Sequence, residues 1–310
     1  MSFDHILIVG FGGPAQPGEL RPFLEQVTRG LGIPEERLQQ VLQHYEAIGG
    51  VSPYNRHVFQ LVEKLKDQLF RKGIVLPVFV GMRNWHPFLK DTMAEIKKKG
   101  FKKGIGVILA PQRSDASFDK YMRNVEEAKQ AAEAPFIECE YLKAWHDHPF
   151  FIEAQADQVR QVLATLAPKE LAELHFIFTA HSIPVEMAQA CRYVQEFETS
   201  SSRVAHELGW EKWSLAYQSR SGNPKQPWLE PDVTQEIRRL STKGIRTVLL
   251  VPAGFINDNV EVLYDLDIEA RQAALQSGLG YRRASTVMDH PKFVKMFAEL
   301  IEEVTARQIC

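Results

Sequence analysis

FIFTAHSIP, residues 176–184, is the stretch that decides the fold class, because a short apolar run ends there in a histidine, a serine and a proline. A second stretch, VLLVPAGFINDNVEVLYDLD at residues 248–267, begins in the same way and then becomes acidic. Short, nearly continuous apolar runs are typical of parallel strands buried on both faces. Since the carboxyl ends of such strands line the ligand crevice, His181 and Glu261 are predicted to face one ligand from neighbouring loops.

The same alternation of apolar runs and amphipathic stretches extends along the whole chain. The runs lie at residues 6–11, 78–83 and 106–111 in the first half, and at residues 176–181, 214–220 and 247–254 in the second. Longer stretches of helical period separate them, which favours parallel sheets covered on both faces. We therefore predict the α/β class, with two similar Rossmann-like lobes, parallel sheets flanked by helices, and an active-site cleft between the lobes.

The two halves also resemble each other in order. KKGFKKGIGVILAP at residues 98–111 is similar to STKGIRTVLLVPAG at residues 241–254, and residues 136–145 read as a further strand of the first half. The predicted boundaries are an N-terminal lobe at residues 1–150, a C-terminal lobe at residues 151–290, and a closing amphipathic helix at residues 291–310.

The charge, the cysteines and the apolar segments of the chain limit which partners and which cell compartment are expected. The chain has 310 residues, 45% of them hydrophobic, and its 37 basic and 39 acidic residues give a net charge of -2, so nucleic acid is not an expected partner. Cys139, Cys191 and Cys310 are far apart with no C-x-x-C spacing, which argues against disulfides and an iron–sulfur cluster. No apolar segment reaches the roughly 18 residues that a transmembrane helix needs. We expect a cytoplasmic protein.

His181 and Glu261 each have a structural alternative. Ser182 and Pro184 could cap and start a helix, which would leave His181 as a solvated turn residue. Asp258 and Glu261 have the D-x-x-E spacing of a capping box, in which Glu261 would only bond the helix start.

The acidic residues after Glu261 raise a second question. Glu261, Asp265 and Glu269 recur every four residues, so one regular helix beginning near Asp258 would carry them on one face. Like charges at this spacing repel by a few tenths of a kcal/mol per pair. The row is either a solvated acidic face or a line of oxygen ligands for a cation.

A glycine-rich turn, GFGGP at residues 10–14, follows the first apolar run. It is neither G-x-G-x-x-G nor a Walker loop, so it does not predict nucleotide binding. Glycines instead allow the backbone to approach a flat or bulky ligand, with Phe11 presented to it.

These motifs together resemble the ferrochelatases, enzymes that insert ferrous iron into a porphyrin in haem biosynthesis. Seven blocks occur in the family's order along nearly the whole chain: GFGGP (10–14), YEAIGGVSP (45–53), VGMR with HPF (80–88), LAPQRS (109–114), FTAHSIP (178–184), YQSRSG with PWLEPDV (217–233) and PAGFINDNVEVLYDLD (252–267). The compact chain is most similar to the bacterial members that use coproporphyrin III. The resemblance implies a porphyrin and Fe(II) as substrates, no obligatory cofactor, and haem-pathway enzymes or an iron donor as possible partners.

The resemblance also implies roles for individual residues. His181 and Glu261 would lie on opposite walls of the metal-insertion site, as catalytic residues and metal ligands, and Asp265 and Glu269 would continue the acidic row as further metal ligands. The residues expected to contact the porphyrin or its propionates are Phe11, Gly12, Thr28, Arg29, His44, Tyr45, Ser52, Arg113 and Tyr121. Three residues depart from the family's pattern: Asn259 stands where histidine is usual, and Asn84 and Arg113 stand where histidine or tyrosine is often found.

Three alternatives stay open at this point. Protoporphyrin IX could replace coproporphyrin III as substrate. A cobalt or nickel chelatase acting on a reduced tetrapyrrole is a second reading, since imidazole and carboxylate do not select iron by themselves. A haem or porphyrin carrier without turnover is the third, favoured by Phe11, Asn84 and Asn259.

Overall fold

The computed structural model describes residues 2–30, 32–221 and 225–307, and it contains two parallel four-stranded sheets. The first has the order β2-β1-β3-β4 and the second β6-β5-β7-β8, so the same arrangement occurs twice. The strands are β1 (His5–Gly10), β2 (Val78–Met82), β3 (Lys103–Ile108), β4 (Glu138–Tyr141), β5 (Leu174–His181), β6 (Trp213–Gln218), β7 (Thr247–Val251) and β8 (Gly280–Arg283). The predicted α/β class with parallel sheets is confirmed.

Helices separate the strands and cover both faces of the sheets. They are α1 (Leu20–Thr28), α2 (Glu35–Ala47), α3 (Tyr54–Arg71), α4 (Leu89–Lys98), α5 (Phe118–Ala131), α6 (Pro149–Leu163), α7 (Pro168–Ala172), α8 (Val185–Gln189), α9 (Tyr193–Glu207), α10 (Val233–Ser241), α11 (Val260–Leu263), α12 (Arg271–Gln276) and α13 (Pro291–Ala306). No helix in the described part of the chain combines the length and apolarity needed to span a lipid bilayer.

The central strands are buried because their side chains are apolar on both faces. Every residue of β1 and of β7 is buried, and burying one large aliphatic or aromatic side chain contributes about 1.5–3 kcal/mol. One core cluster combines side chains from both halves, including Leu65 of α3 and Phe293 of α13. The last helix therefore packs on the first half as well as on α6. The lobe boundary near residue 150 and the closing role of residues 291–310 stay predictions, and residues 308–310 lie outside the described ranges.

The segment after β7 differs from the regular helix predicted to begin near Asp258. It forms the short helix α11, then a π-helix at Asp265–Ala270, and then α12. Asn259 is the N-cap of α11, where its side chain accepts a hydrogen bond from the Val262 amide. The capping box of Asp258 and Glu261 is therefore wrong, and Glu261 is left available for another role.

Candidate active site at the ends of the second sheet

The structure brings His181 and Glu261 together at the carboxyl edge of the second sheet. His181 is the last residue of β5, and Glu261 lies in α11, which follows the neighbouring strand β7. Nε2 of His181 lies 3.4 Å from Oε1 of Glu261, and the two side chains are 31% and 36% exposed. The pair therefore combines an ion-pair distance with access from solvent.

The protonation of His181 follows from its two ring contacts. Its Nδ1–H donates to the carbonyl of Ser182, because a carbonyl oxygen can only accept, so Nε2 is the nitrogen that gains or loses a proton towards Glu261. Burial lowers the pKa of His181, but the Glu261 carboxylate, the Ser182 carbonyl and the Asp265 charge outweigh it and raise the pKa to about 9. The raised pKa favours the protonated imidazolium form of His181 at neutral pH.

The serine after His181 does not cap a helix. Its hydroxyl donates to the Leu229 carbonyl at 2.9 Å, and α8 begins after Pro184 without a side-chain cap. The prediction that Ser182 caps this helix is therefore wrong.

Asp265 and Glu269 are the two carboxylates that follow Glu261 in the acidic row. Burial raises the pKa of Asp265 to about 7, with the charges of Glu261 and Glu269 acting in the same direction against a hydrogen bond from the Ser219 hydroxyl. Burial also raises the pKa of Glu269. Burial and the neighbouring carboxylates thus disfavour the ionised form of Asp265.

Gln218 and Ser219, at the end of β6, hold this arrangement but were not among the predicted site residues. The side-chain amide of Gln218 donates to the backbone carbonyl of Glu261 at 2.5 Å. The backbone carbonyl of Gln218 accepts from the backbone amide of Ser182 at 2.7 Å. Ser219 has a φ of 61°, a left-handed conformation that is uncommon for residues other than glycine. Because β6 pairs directly with β5, the strand-end rule that found His181 applies to these residues too.

Tyr193 on α9 fixes the backbone of the histidine. Its hydroxyl donates to the His181 carbonyl at 2.9 Å. The position of the imidazole is thus set by the sheet on one side and by a helix on the other, and no signal in the sequence pointed to this tyrosine.

The glycine turn of the first half is packed without space for side chains. Gly12 has a φ of +87°, and a Cβ on Gly13 would lie 2.9 Å from both Cβ and Oγ of Ser52. The Phe11 amide donates to the Tyr54 hydroxyl at 2.8 Å. The backbone of residues 11–13 is therefore held close against the segment that contains Ser52.

Aromatic residues of the first half lie within electrostatic reach of the pair. Burial raises the pKa of Tyr45 and of Tyr121, and the Glu261 charge contributes to both shifts. The Arg83 guanidinium carbon lies 4.8 Å from the Tyr121 ring centre and 5.7 Å from that of Phe11. Glu261 therefore lies within electrostatic range of two buried tyrosines of the first half, and one of them, Tyr121, stacks against the Arg83 cation.

Four other predicted residues make different contacts in the structure. His44 on α2 stacks on Tyr264 of the second half, with ring centres 3.7 Å apart. The Thr28 hydroxyl donates to the Leu24 carbonyl, and Arg29 is exposed. Arg113 lies over the Phe118 ring at 4.3 Å. Within the described ranges, no hydrogen bond or ion pair joins Thr28, Arg29 or Arg113 to His181 or Glu261.

The candidate metal ligands do not form a closed cluster. In the part of the chain that the structure describes, no group of three or more histidine, cysteine, aspartate or glutamate side chains is arranged to hold a metal ion. The metal-binding roles of His181, Glu261, Asp265 and Glu269 stay predictions. A hollow of about 1100 Å³ lies elsewhere, between Phe59, Trp85 and Asp289, and neither member of the pair lines it.

Two parallel four-stranded sheets of the same strand order form a two-lobed α/β fold that is also found in solved metal chelatases. SirB from Bacillus subtilis, solved with Fe3+, has this fold, with a TM-score of 0.60 at 12% identity over 99% of this chain and 97% of that chain. The sirohydrochlorin chelatase SirB of Bacillus subtilis subspecies spizizenii, solved with cobalt, gives 0.55 at 10% identity over 98% and 96%.

The sequence identifies the family within this class. The ferrochelatase family model matches residues 4–305, and the chain belongs to that family. The coproporphyrin III ferrochelatases of Mycolicibacterium vanbaalenii and Mycolicibacterium smegmatis are each 38% identical to this chain. The matched regions span 98% of this chain and 91% and 90%, respectively, of those two proteins. The protein is therefore an enzyme, a metal chelatase of the lyase type.

Proposed function

We propose that this protein inserts Fe(II) into coproporphyrin III during haem biosynthesis. The observation that carries the proposal is the His181–Glu261 pair, 3.4 Å apart and open to solvent, with the Glu261 charge within electrostatic range of Tyr45 and Tyr121 of the first half. The relatives named as coproporphyrin III ferrochelatases support this porphyrin. Iron is a substrate in this reaction, and the reaction needs no resident cofactor and no iron–sulfur cluster.

The reaction exchanges two pyrrole protons for one ferrous ion, so the site must accept protons while it admits a cation. Before iron binds, Nε2 of His181 is protonated at neutral pH, because the pKa is raised to about 9. A ferrous ion that approaches Glu261 competes for the carboxylate, which weakens the ion pair and lowers the pKa of His181. Nε2 then loses its proton and becomes able to accept one from a pyrrole nitrogen.

Asp265 gives the released protons a way out. With a pKa of about 7, its carboxyl group accepts a proton from the pair and releases it at neutral pH. Glu269, one step further along the segment, continues the route. His181, Glu261, Asp265 and Glu269 would also contact the incoming ion as nitrogen and oxygen ligands.

The first half would bind the porphyrin. A planar ring with four carboxylate side chains needs a close backbone surface, aromatic contacts and cations, which Gly12, Phe11 and Arg83 supply. Arg29, His44, Ser52, Arg113 and Tyr121, together with Tyr45 and Thr28, are proposed for the rest of the ring and its propionates, since guanidinium groups bind carboxylates in a fork. Binding energy from these remote groups would offset about 1–5 kcal/mol of ring bending.

Purified protein with Fe(II) under anaerobic conditions tests the proposal. Coproporphyrin III and protoporphyrin IX are supplied in parallel, and the loss of porphyrin fluorescence and the new absorbance bands are followed. We expect turnover with coproporphyrin III to exceed that with protoporphyrin IX. Stoichiometric porphyrin binding without insertion would instead favour a carrier, and a preference for cobalt or nickel over iron would favour another chelatase.

The proposed compartment and partners follow from the cysteine content and from the two substrates. The scattered cysteines fit a reducing cytoplasm. The porphyrin must come from an enzyme that produces it and the iron from a donor, so enzymes of the same pathway and an iron donor are the proposed partners.

A further inference from the structure

We propose that β8 is a clamp for the π-helix at Asp265–Ala270, and that Tyr281 and Arg283 are positioning residues for metal insertion. The inference rests on the proposed function of the His181–Glu261 pair. It concerns how far the carboxylates lie from the histidine, which the pair itself does not determine.

The π-helix needs support from outside the segment. Its wider turn appears in the bond from the Glu269 amide to the Tyr264 carbonyl, five residues earlier, at 3.0 Å. Such turns are rare and occur mostly as single insertions in α-helices, often at functional sites. A regular α-helix would turn the residues after Tyr264 by a different angle, so the π-helix determines where Asp265 and Glu269 point.

β8 contacts two consecutive residues of this π-helix. The Tyr281 hydroxyl donates to the Leu266 carbonyl at 2.6 Å. Arg283 forms a two-pronged ion pair with Asp267, from Nε to Oδ1 at 2.6 Å and from Nη2 to Oδ2 at 2.8 Å. Residues two apart on a strand lie on the same face, so one face of β8 makes both contacts.

Arg283 also binds the other end of the segment that carries Glu261. Its Nη1 lies 3.4 Å from Oδ1 of Asp258, and Asp258 accepts a further bond from the Thr286 hydroxyl at 3.0 Å. The Arg283 side chain is only 14% exposed, so these ion pairs are shielded from water and hold their geometry better than surface pairs. A single guanidinium thus joins residues on both sides of Glu261 and Asp265.

The clamp has a consequence for the reaction because His181 is fixed independently by β5. The gap between Nε2 and Glu261 depends on where α11 and the π-helix lie against the sheet. A displacement of about 1 Å at a reacting group can reduce rates by a hundredfold. Loss of the clamp should therefore affect the chemical step more than porphyrin binding, which the first half provides.

The neighbouring residue Arg282 offers a matched control. It points to the other face of β8, where it pairs with Glu170 at 2.8 Å. The test compares Arg283→Lys and Tyr281→Phe with Arg282→Lys, using kcat and KM for coproporphyrin and Fe(II), and hydrogen exchange of the amides at residues 265–270. Lysine keeps the charge of Arg283 but loses the fork, and phenylalanine removes a single hydroxyl.

We expect kcat to fall about tenfold in Arg283→Lys and about threefold in Tyr281→Phe, with the porphyrin KM within about twofold of the wild type. Amide exchange at residues 265–270 should become faster in both variants, while Arg282→Lys matches the wild type. Equal kcat and equal exchange in all three variants would overturn the clamp. If Arg283→Lys does not fold, Tyr281→Phe decides.

The same experiment separates the clamp from the proposed function. A wild-type protein that inserts no metal overturns the function, and exchange at residues 265–270 then still supports or overturns the clamp. A wild type that is active, with variants that raise only the porphyrin KM, overturns the clamp alone.

Discussion

The two sheets have the same strand order, but their carboxyl edges carry different chemistry. β1 and β5 occupy equivalent places, yet β1 ends at Gly10 and β5 ends at His181. A Cβ on Gly10 would lie 2.7 Å from the sulfur of Met82 and 3.1 Å from the Tyr54 hydroxyl, so a side chain there would displace its neighbours. Although the two sheets have the same arrangement, we expect a division of roles, in which the first half provides the surface that binds the porphyrin and the second half provides the ionisable groups of the pair.

His181→Ala tests this division most severely. Loss of a positioned proton acceptor should reduce kcat for iron insertion by at least about a hundredfold, while the porphyrin KM changes little because the first half is intact. Steady-state kinetics by porphyrin fluorescence measures both. His206→Ala, at an exposed site on α9, is the control, and near-normal turnover of His181→Ala would remove the histidine from the mechanism.

Glu261→Gln tests the coupling within the second half. Without the carboxylate, burial dominates, so the pKa of His181 should fall from about 9 towards or below 6.5, as measured by NMR titration. A raised histidine pKa stabilises the folded protein fully below pH 6.5 and loses this contribution as the pH rises through about 9. Glu261→Gln should therefore be less stable than the wild type at pH 6, with a smaller difference at pH 9.5.

Glu207→Gln removes a carboxylate from a surface pair with Arg160 and serves as the control for that titration. It should leave the pKa of His181 where it is. An unchanged pKa in Glu261→Gln as well would mean that the pair does not interact in solution.

Gly13→Ala tests whether the first half determines porphyrin binding and not the chemical step. The added methyl group would lie 2.9 Å from Ser52, so the turn must move and the surface offered to the ring changes. We expect the porphyrin KM to rise about tenfold with kcat within about twofold of the wild type. Gly18→Ala is the control, because a Cβ there meets nothing within 4 Å. A loss confined to kcat would contradict the division between the halves.

Asp265→Asn has the smallest expected effect, on stability. Burial raises the pKa of Asp265 to about 7, so the cost to the folded protein grows as the pH rises from about 4, the pKa of an exposed aspartate, and is complete above about 7. Urea unfolding at pH 8 should show the variant about 1 kcal/mol more stable than the wild type, with no difference near pH 4, where Asp265 is protonated. Asp67→Asn, on the exposed face of α3, should change stability at neither pH.

The sequence predicted most strands because their signal is local. A short apolar run rich in β-branched residues, such as residues 247–254, favours a strand covered on both faces. β8 was missed, since Gly280–Arg283 contains two arginines and no apolar run, and it is a strand only because it pairs with β7. The π-helix was missed for a related reason, because its supports come from Tyr281 and Arg283 and leave no period in residues 265–270.

The site was predictable where it depends on strand ends and not where it depends on tertiary contacts. The proximity of His181 and Glu261 follows from one rule about adjacent parallel strands. Gln218 and Ser219 obey the same rule, but they required knowledge that β6 pairs with β5. The contact of His44 with Tyr264 joins residues of opposite halves, and spacing along one chain segment carries no information about it.

The packing of α13 on α3 implies an order of events during synthesis. Leu65 and Phe293 share one core, and Lys72 of the first half pairs with Glu302 at 2.5 Å. The amino-terminal half therefore leaves the ribosome with one apolar helix face uncovered and completes its burial only after more than two hundred further residues have been translated. Until then that face is open to chaperones and to self-association, so nascent chains arrested before α13 should be the aggregation-prone species.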